Sequence, residues 1–342
     1  MRRLFVFSVI VATLFLWHSC VFAEGELQFI KPGNYRLENG RVIRNCRLAY
    51  RTFGVLNAEK SNVVLFPTWL AGTTKDLVDL GLIGPGKLAD SSRYFIVAVD
   101  VFGGGVSSSP SNSNLQPNQA FPQFSIKDMV DAQYLLLTRY LHLTRIYGVI
   151  GISMGAMMAY QWMVTYPDFI NKVVAIVGSP QLTSYDLLLW QTELNAINAC
   201  SGKKTKSNTC MKILSGVHNL HSRTPKHIAA NIPPESFPHF LAETEKNIMK
   251  FNAYNWAWQL KAIMGHDIYH SFGGKIEPAA KTIKAKTLIV WAGNDLTVDS
   301  EPAQILAGHL NADTLELPGD CGHLSFLCAS EILHDKVNKF ME

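Results

Sequence analysis

The stretch Tyr147–Tyr166, YGVIGISMGAMMAYQWMVTY, decides the reading of this 342-residue chain. Its first part, Tyr147–Ile152, is short, apolar and β-branched, the pattern of a strand covered on both faces. Its second part, Met154–Tyr166, reads as a helix. Between them Gly151-Ile152-Ser153-Met154-Gly155 fits G-x-S-x-G, a serine on a strained turn from strand to helix. Glycine is needed two residues either side because a Cβ there would crowd the neighbouring strand or helix. A serine presented in this way becomes a nucleophile only when a base takes its proton, since an isolated hydroxyl attacks poorly at neutral pH.

Working outward, similar apolar runs stand at Asn62–Pro67 (NVVLFP), Tyr94–Asp100 (YFIVAVD) and Lys172–Val177 (KVVAIV). Between the second of these and the serine strand, Ile126–His142 carries Ile126, Met129, Val130, Tyr134, Leu137 and Leu141 at helical spacing. This is the alternation of a mostly parallel sheet with helices on both faces. The rhythm stops after Pro180 and resumes at Lys286, so the interval reads as an inserted, largely helical cap. Thr287–Ala292 (TLIVWA) and Thr314–Leu317 (TLEL) supply two last strands, and Ala329–Phe340 a closing amphipathic helix. The expected class is α/β, with the α/β-hydrolase fold: residues 24–180 form the first part of the core, 181–285 the cap and 286–342 the second part.

In that fold an acid and then a histidine follow the serine, each on a loop after a later strand. Asp295 stands just past Thr287–Ala292, nearer the strand end than its rivals Asp299 and Asp320. Of eleven histidines, only His323 has both the required order and a strand-end position. The expected triad is therefore Ser153, Asp295 and His323: the histidine takes and returns the hydroxyl proton while the aspartate holds its tautomer. The oxyanion of acyl transfer needs two backbone amides. Met154, after the serine, is the expected first donor. The loop Thr68–Gly72 supplies the second, with Leu70 favoured over Trp69.

His218 with His221, and His266 with His270, have helical spacing for metal ligands, but no third ligand is evident, so no metal and no cofactor are expected. Tyr254, Trp256 and Trp258 are read as packing the cap or lining an acyl pocket. The N-terminus has a targeting pattern: Arg2 and Arg3, an apolar run Leu4–Trp17, then Val21-Phe22-Ala23 as a cleavage site. Residues 1–23 are thus read as a signal peptide and the protein as periplasmic or secreted. The apolar run is shorter than the about 20 residues of a spanning helix, so no stable membrane span remains after cleavage. The net charge of +4 includes the two leader arginines, which makes nucleic acid an unexpected partner. A small-molecule acyl substrate is the expected partner, and a homodimer is left open. In an oxidising compartment Cys200 with Cys210 is the favoured disulfide and Cys321 with Cys328, which bracket His323, a further candidate; the odd count leaves one thiol over, and the pairing stays open at this point.

These motifs together resemble the homoserine O-acetyltransferase family. Leu48–Asn57 is similar to its A-Y-x-T-[YF]-G-x-L-N segment, Leu70-Ala71-Gly72 to its L-[ST]-G oxyanion loop, and Val99–Gly104 to its N-x-L-G-G segment. Gly151–Gly155 with Gln161-Trp162 resembles its G-x-S-M-G elbow, and Phe251–Asn255 through Asp267 its F-x-A-N-S-Y stretch. The resemblance implies serine-dependent acyl transfer. It also implies two anchors for an amino-acid acceptor, and here the sequence departs. Leu324 stands where the family has an aspartate after the catalytic histidine, and the rewritten cap segment holds no convincing counterpart of the carboxylate-binding arginine, Arg223 being a candidate by elimination alone. Water as acceptor, and hydrolysis of a small ester, thioester or amide, is the reading that follows. O-acetyl transfer is the alternative, and a non-catalytic binding protein of the same fold is the third.

Overall fold

A computed structural model of the chain describes residues 25–199 and 207–342, with side chains in the second segment from residue 209. The leader and Cys200 lie outside them. One eight-stranded sheet forms the frame. Its strands, in chain order, are β1 (Gln28–Arg36), β2 (Val42–Phe53), β3 (Val63–Pro67), β4 (Phe95–Asp100), β5 (Ile146–Ile152), β6 (Ile170–Ile176), β7 (Lys286–Ala292) and β8 (Asp313–Leu317). In space they run β1-β2-β4-β3-β5-β6-β7-β8. The β1–β2 and β2–β4 pairs are antiparallel, and β3–β4 and all later pairs are parallel.

The central strands read as unbroken apolar runs because both faces are covered. Val64, Phe66, Ile150, Ile152, Val174 and Ile176 join one core with Leu333 and Val337 of the last helix. Their neighbours Leu65, Val149, Val173 and Ala175 join the other, with Met129, Trp162 and Met163. Successive residues alternate between the two cores, as the pleat requires. Each Val, Ile, Leu, Phe or Met among them, fully removed from water, stabilises the fold by about 1.5–3 kcal/mol.

The antiparallel pair β1–β2 adds two strands to the sheet beyond those the sequence marks. On β1 only Ile30 is buried, and Pro32 and Gly33 interrupt the strand at a register irregularity, so no apolar run marks it. The expected helix at residues 126–142 forms as Ile126–Leu135 and continues as a π turn, Leu136–Tyr140.

Helices α1 (Thr74–Asp79), α2 (Ile126–Leu135) and α3 (Met154–Thr165) follow β3, β4 and β5. Between β6 and β7 the described residues are helical: α4 (Ser184–Asn198), α5 (Ser207–Ser222), α6 (Pro225–Asn231), α7 (Phe237–Ile248), α8 (Ala253–Met264) and α9 (Ile276–Thr282). Local chemistry sets where α4 starts: Thr183 caps it in a reciprocal capping box with Asp186. Its base is tied down twice. Gln181 bridges to Asp267, and Asp186 accepts the Asp299 amide at 2.9 Å, joining α4 to the loop after β7. Helices α10 (Glu301–Leu310), α11 (Ser325–Cys328) and α12 (Ser330–Met341) complete the core.

Cys321 and Cys328 form a disulfide around the turn that carries His323. Cys210 is also disulfide-bonded. Cys46 is the free cysteine among the described residues, a buried thiol that burial pushes up to about 12. No helix among the described residues is long and apolar enough to cross a membrane.

Candidate active site

The turn Gly151–Gly155 leaves β5 and enters α3 with Ser153 at φ 56° and ψ −122°, a backbone that a residue with a Cβ adopts only under constraint. The flanking glycines remove the clashes that would forbid it. A Cβ on Gly151 would stand 2.1 Å from the Gly155 carbonyl oxygen, and one on Gly155 would stand 2.9 Å from that of Pro67. Gly178, just past β6, is under the same demand, since its Cβ would meet the Ser153 carbonyl oxygen at 2.8 Å. The expected result of Gly151→Ala is a destabilisation of about 3 kcal/mol or more, because the obstacle is backbone and has no rotamer to move. A thermal melt of the purified variant, or its loss from the soluble fraction, checks this.

Folding brings the three expected side chains together from distant parts of the chain. His323 Nε2 lies 2.9 Å from Ser153 Oγ, and His323 Nδ1 lies 2.7 Å from Asp295 Oδ2. The second carboxylate oxygen, Oδ1, accepts the amides of Thr297 at 2.8 Å and Val298 at 3.1 Å. Those two bonds orient the carboxylate, and the carboxylate fixes the ring: an ionised Asp295 accepts Nδ1–H, which leaves the Nε2 lone pair facing the serine hydroxyl. The rival acids serve elsewhere. Asp299 accepts the Glu301 amide just before α10, and Asp320 faces His227 and Lys226.

Around Ser153 lies a cavity of about 480 Å³ whose apolar wall includes Trp69, Met157, Phe240, Ile263 and Phe326. Leu70 also lines it. The Met154 amide is the first of α3, so the helix offers it no carbonyl one turn back. The loop carrying Leu70 is held from α8: the carboxamide of buried Gln259 accepts the Ala71 amide at 2.7 Å and donates to the Phe102 carbonyl at 2.9 Å. Ala71 has φ 59°, so this side-chain clamp holds a loop in an unfavourable backbone state. In Gln259→Leu the Ala71 amide loses its buried partner, a destabilisation of about 1–3 kcal/mol. The expected activity loss is larger than that of a surface substitution on α8, and parallel melting and steady-state kinetics check both.

Known proteins similar to this chain share its fold. A family model described as the alpha/beta hydrolase fold matches residues 63–198. The chain is 33% identical over 300 residues to the ethyl acetate hydrolase of Pseudomonas veronii, covering 81% of this chain and 83% of that protein. The chain belongs to the homoserine O-acetyltransferase-like family of α/β hydrolases. A homoserine O-acetyltransferase of Methanosalsum zhilinae is 28% identical over 351 residues, covering 90% of this chain and 70% of that protein. The crystal structure of the acetyl esterase MekB superposes with a TM-score of 0.85 at 28% identity, over 93% of this chain and 96% of that one.

The chain is thus an α/β-hydrolase-fold enzyme of hydrolysis or acyl transfer. Its cavity carries both positions at which the sequence departs from the family pattern. Leu324 lines the wall beside His323. Arg223 lines it as well, half-buried, without an ion-pair partner among the described residues, and burial lowers its pKa.

Trp256 lines the same cavity, whereas the Trp258 indole is spent on the Phe121 carbonyl, so the aromatic run both packs and lines. His266 is buried and His270 exposed, so they share no site. His218 and His221 do meet, and the third group that the sequence did not reveal is Glu193. Both imidazoles stand 2.9 Å from Glu193 Oε1 and the Trp256 indole N–H 3.0 Å from Oε2. These are hydrogen-bond distances, and they already satisfy the carboxylate without an ion. A second cluster, His227, Asp320 and Cys321, has its sulfur in a disulfide, which removes the thiolate a metal would require. Glu193, Gln259 and Thr297 are the residues of the site that sequence reasoning missed. The available signal was a polar side chain on a buried helix face: Glu193 between Trp190 and Leu194, and Gln259 between Trp258 and Leu260.

Proposed function

We propose that this protein is an exported serine esterase that hydrolyses small acyl esters through an acyl-enzyme on Ser153. The observation that carries the reading is the unbroken contact from Asp295 through His323 to the Ser153 hydroxyl, at the floor of a mainly apolar cavity of about 480 Å³. His323 takes the hydroxyl proton as Ser153 Oγ attacks the acyl carbon, and the carbonyl oxygen becomes an oxyanion. The amides of Met154 and Leu70 receive that charge. His323 returns the proton to the departing alcohol, which leaves the acyl group esterified to the serine. Water, deprotonated by the same imidazole, then releases the acid. Asp295 keeps the proton on Nδ1 and stabilises the imidazolium formed in each half-reaction.

Hydrolysis, rather than transfer, is supported by Leu324, which places an apolar side chain where an acceptor's ammonium would need an anion. The ethyl acetate hydrolase and acetyl esterase relatives support a short acyl group. Export is supported by the leader pattern and by the disulfide-bonded Cys321, Cys328 and Cys210, a usage that reducing compartments disfavour.

One observation favours a second reading. Arg223 brings to the cavity a guanidinium without an ion-pair partner among the described residues, a suitable group for a carboxylate-bearing alcohol as acyl acceptor. The two readings separate on acyl-enzyme breakdown. With p-nitrophenyl acetate as donor, homoserine or serine is expected to leave the rate of p-nitrophenol release unchanged and to yield no O-acetyl product. A large acceleration with O-acetyl amino acid formed would replace the esterase by a transferase.

A further inference from the structure

Glu193 is completely buried at the junction of the inserted helices, an expensive place for a carboxylate unless donors surround it. They do: His218 of α5, His221 of α5 and Trp256 of α8 occupy its two oxygens. Burial pushes this acid up, but the two histidines outweigh it and hold the group down at about 2, so the carboxylate is ionised. An ionised Oε1 facing His221 Nε2 at 2.9 Å requires the proton on that nitrogen.

The rest of the path follows from that tautomer. His221 Nδ1 is 2.8 Å from Thr297 Oγ1, and Thr297 Oγ1 is 2.9 Å from the His221 carbonyl oxygen. Whichever of the two receives the threonine hydroxyl proton, Thr297 is fastened to His221. The Thr297 amide is in turn one of the two donors on Asp295 Oδ1. With the hydroxyl proton directed at Nδ1, a continuous hydrogen-bonded path runs from a carboxylate of the inserted helices to the acid of the triad. Thr297 is buried, and His218 and Trp256, which hold the far end, also line the cavity above Ser153.

We propose that Glu193, acting through His221 and Thr297, is a positioning residue for Asp295. It holds the loop at residues 295–298 so that Oδ2 is presented to His323, and it does so from the cap. Seating the inserted helices over the serine and aligning the acid are then one structural event. This inference rests on the triad reading above, and the test keeps the two apart.

Thr297→Val removes the hydroxyl while keeping shape and the backbone amide, and Thr297→Ser restores the hydroxyl. With p-nitrophenyl acetate, and active sites counted by phosphonate labelling, Thr297→Val is expected to lower kcat roughly 10- to 100-fold, with KM within about two-fold, because the acid is misaligned and not the substrate. Thr297→Ser is expected to recover kcat to within about two-fold of wild type. Glu193→Gln is expected to lower kcat similarly, and the double variant with Thr297→Val to be no worse than the more damaged single, as for two links of one chain. Should Glu193→Gln not fold, the Thr297 pair decides alone. The inference is overturned if Thr297→Val lowers the melting temperature but leaves kcat per labelled site unchanged, or if Thr297→Ser fails to restore it. Failure of wild-type Ser153 to label would instead sink the triad reading itself.

Discussion

Replacing Ser153 with alanine is expected to remove esterase turnover almost entirely, lowering kcat by as much as about 10⁶-fold, the scale on which a triad serine matters. The argument is geometric. His323 Nε2 has one partner among the described residues that is able to become a covalent nucleophile, the Ser153 hydroxyl at 2.9 Å. Without it, the amides and the imidazole remain but have only water to activate, and the residual rate measures their contribution. Alanine keeps a Cβ at φ 56°, so the turn is no more strained than before and the fold is expected to persist. Steady-state hydrolysis of p-nitrophenyl acetate, with circular dichroism and a thermal melt to verify folding, reads out the loss.

Asp295→Asn is expected to lower kcat by about 10⁴-fold with little change in KM. The carboxylate oxygen 2.7 Å from His323 Nδ1 selects the tautomer that leaves Nε2 free to accept the serine proton. An amide of the same shape is able to turn its NH₂ toward Nδ1 and favour the opposite tautomer, which directs an N–H at the serine and abolishes the base. Oδ1 accepts two backbone amides, so the amide oxygen is drawn there and the NH₂ toward the ring. The decline therefore reports chemistry and not loss of the loop. Comparing kcat, KM and the rate of phosphonate labelling in wild type and variant checks this, since a substrate-binding role for Asp295 would move KM.

Much of this was legible in the sequence because parallel strands covered on both faces leave an unmistakable mark. Runs such as YFIVAVD and YGVIGI have no polar face to confuse them, and the G-x-S-x-G turn fixes where strand gives way to helix. Order along the chain then points to Asp295 and His323, each at the end of such a run, and the structure places both side chains in line with Ser153. The edge pair β1–β2 carried no such mark: its first strand is mostly exposed and is interrupted by Pro32 and Gly33. Gln259, Glu193 and Thr297 were hidden for another reason. Their partners lie 188, 28 and 76 residues away, at Ala71, His221 and His221, and nothing local in the chain requires those pairings. The histidines of α5 carry metal-ligand spacing but show no third ligand in the sequence; the acid that gathers them sits on the preceding helix, and its hydrogen bonds serve the loop behind the triad.

The central claim is that Ser153 carries the acyl group. Mass spectrometry of the full chain after treatment with an active-site phosphonate, followed by peptide mapping, tests it most directly. The account expects one adduct per chain, on the peptide containing Ser153, and none in Ser153→Ala. An adduct on another residue, or ester hydrolysis that survives in Ser153→Ala at the wild-type rate, would contradict it.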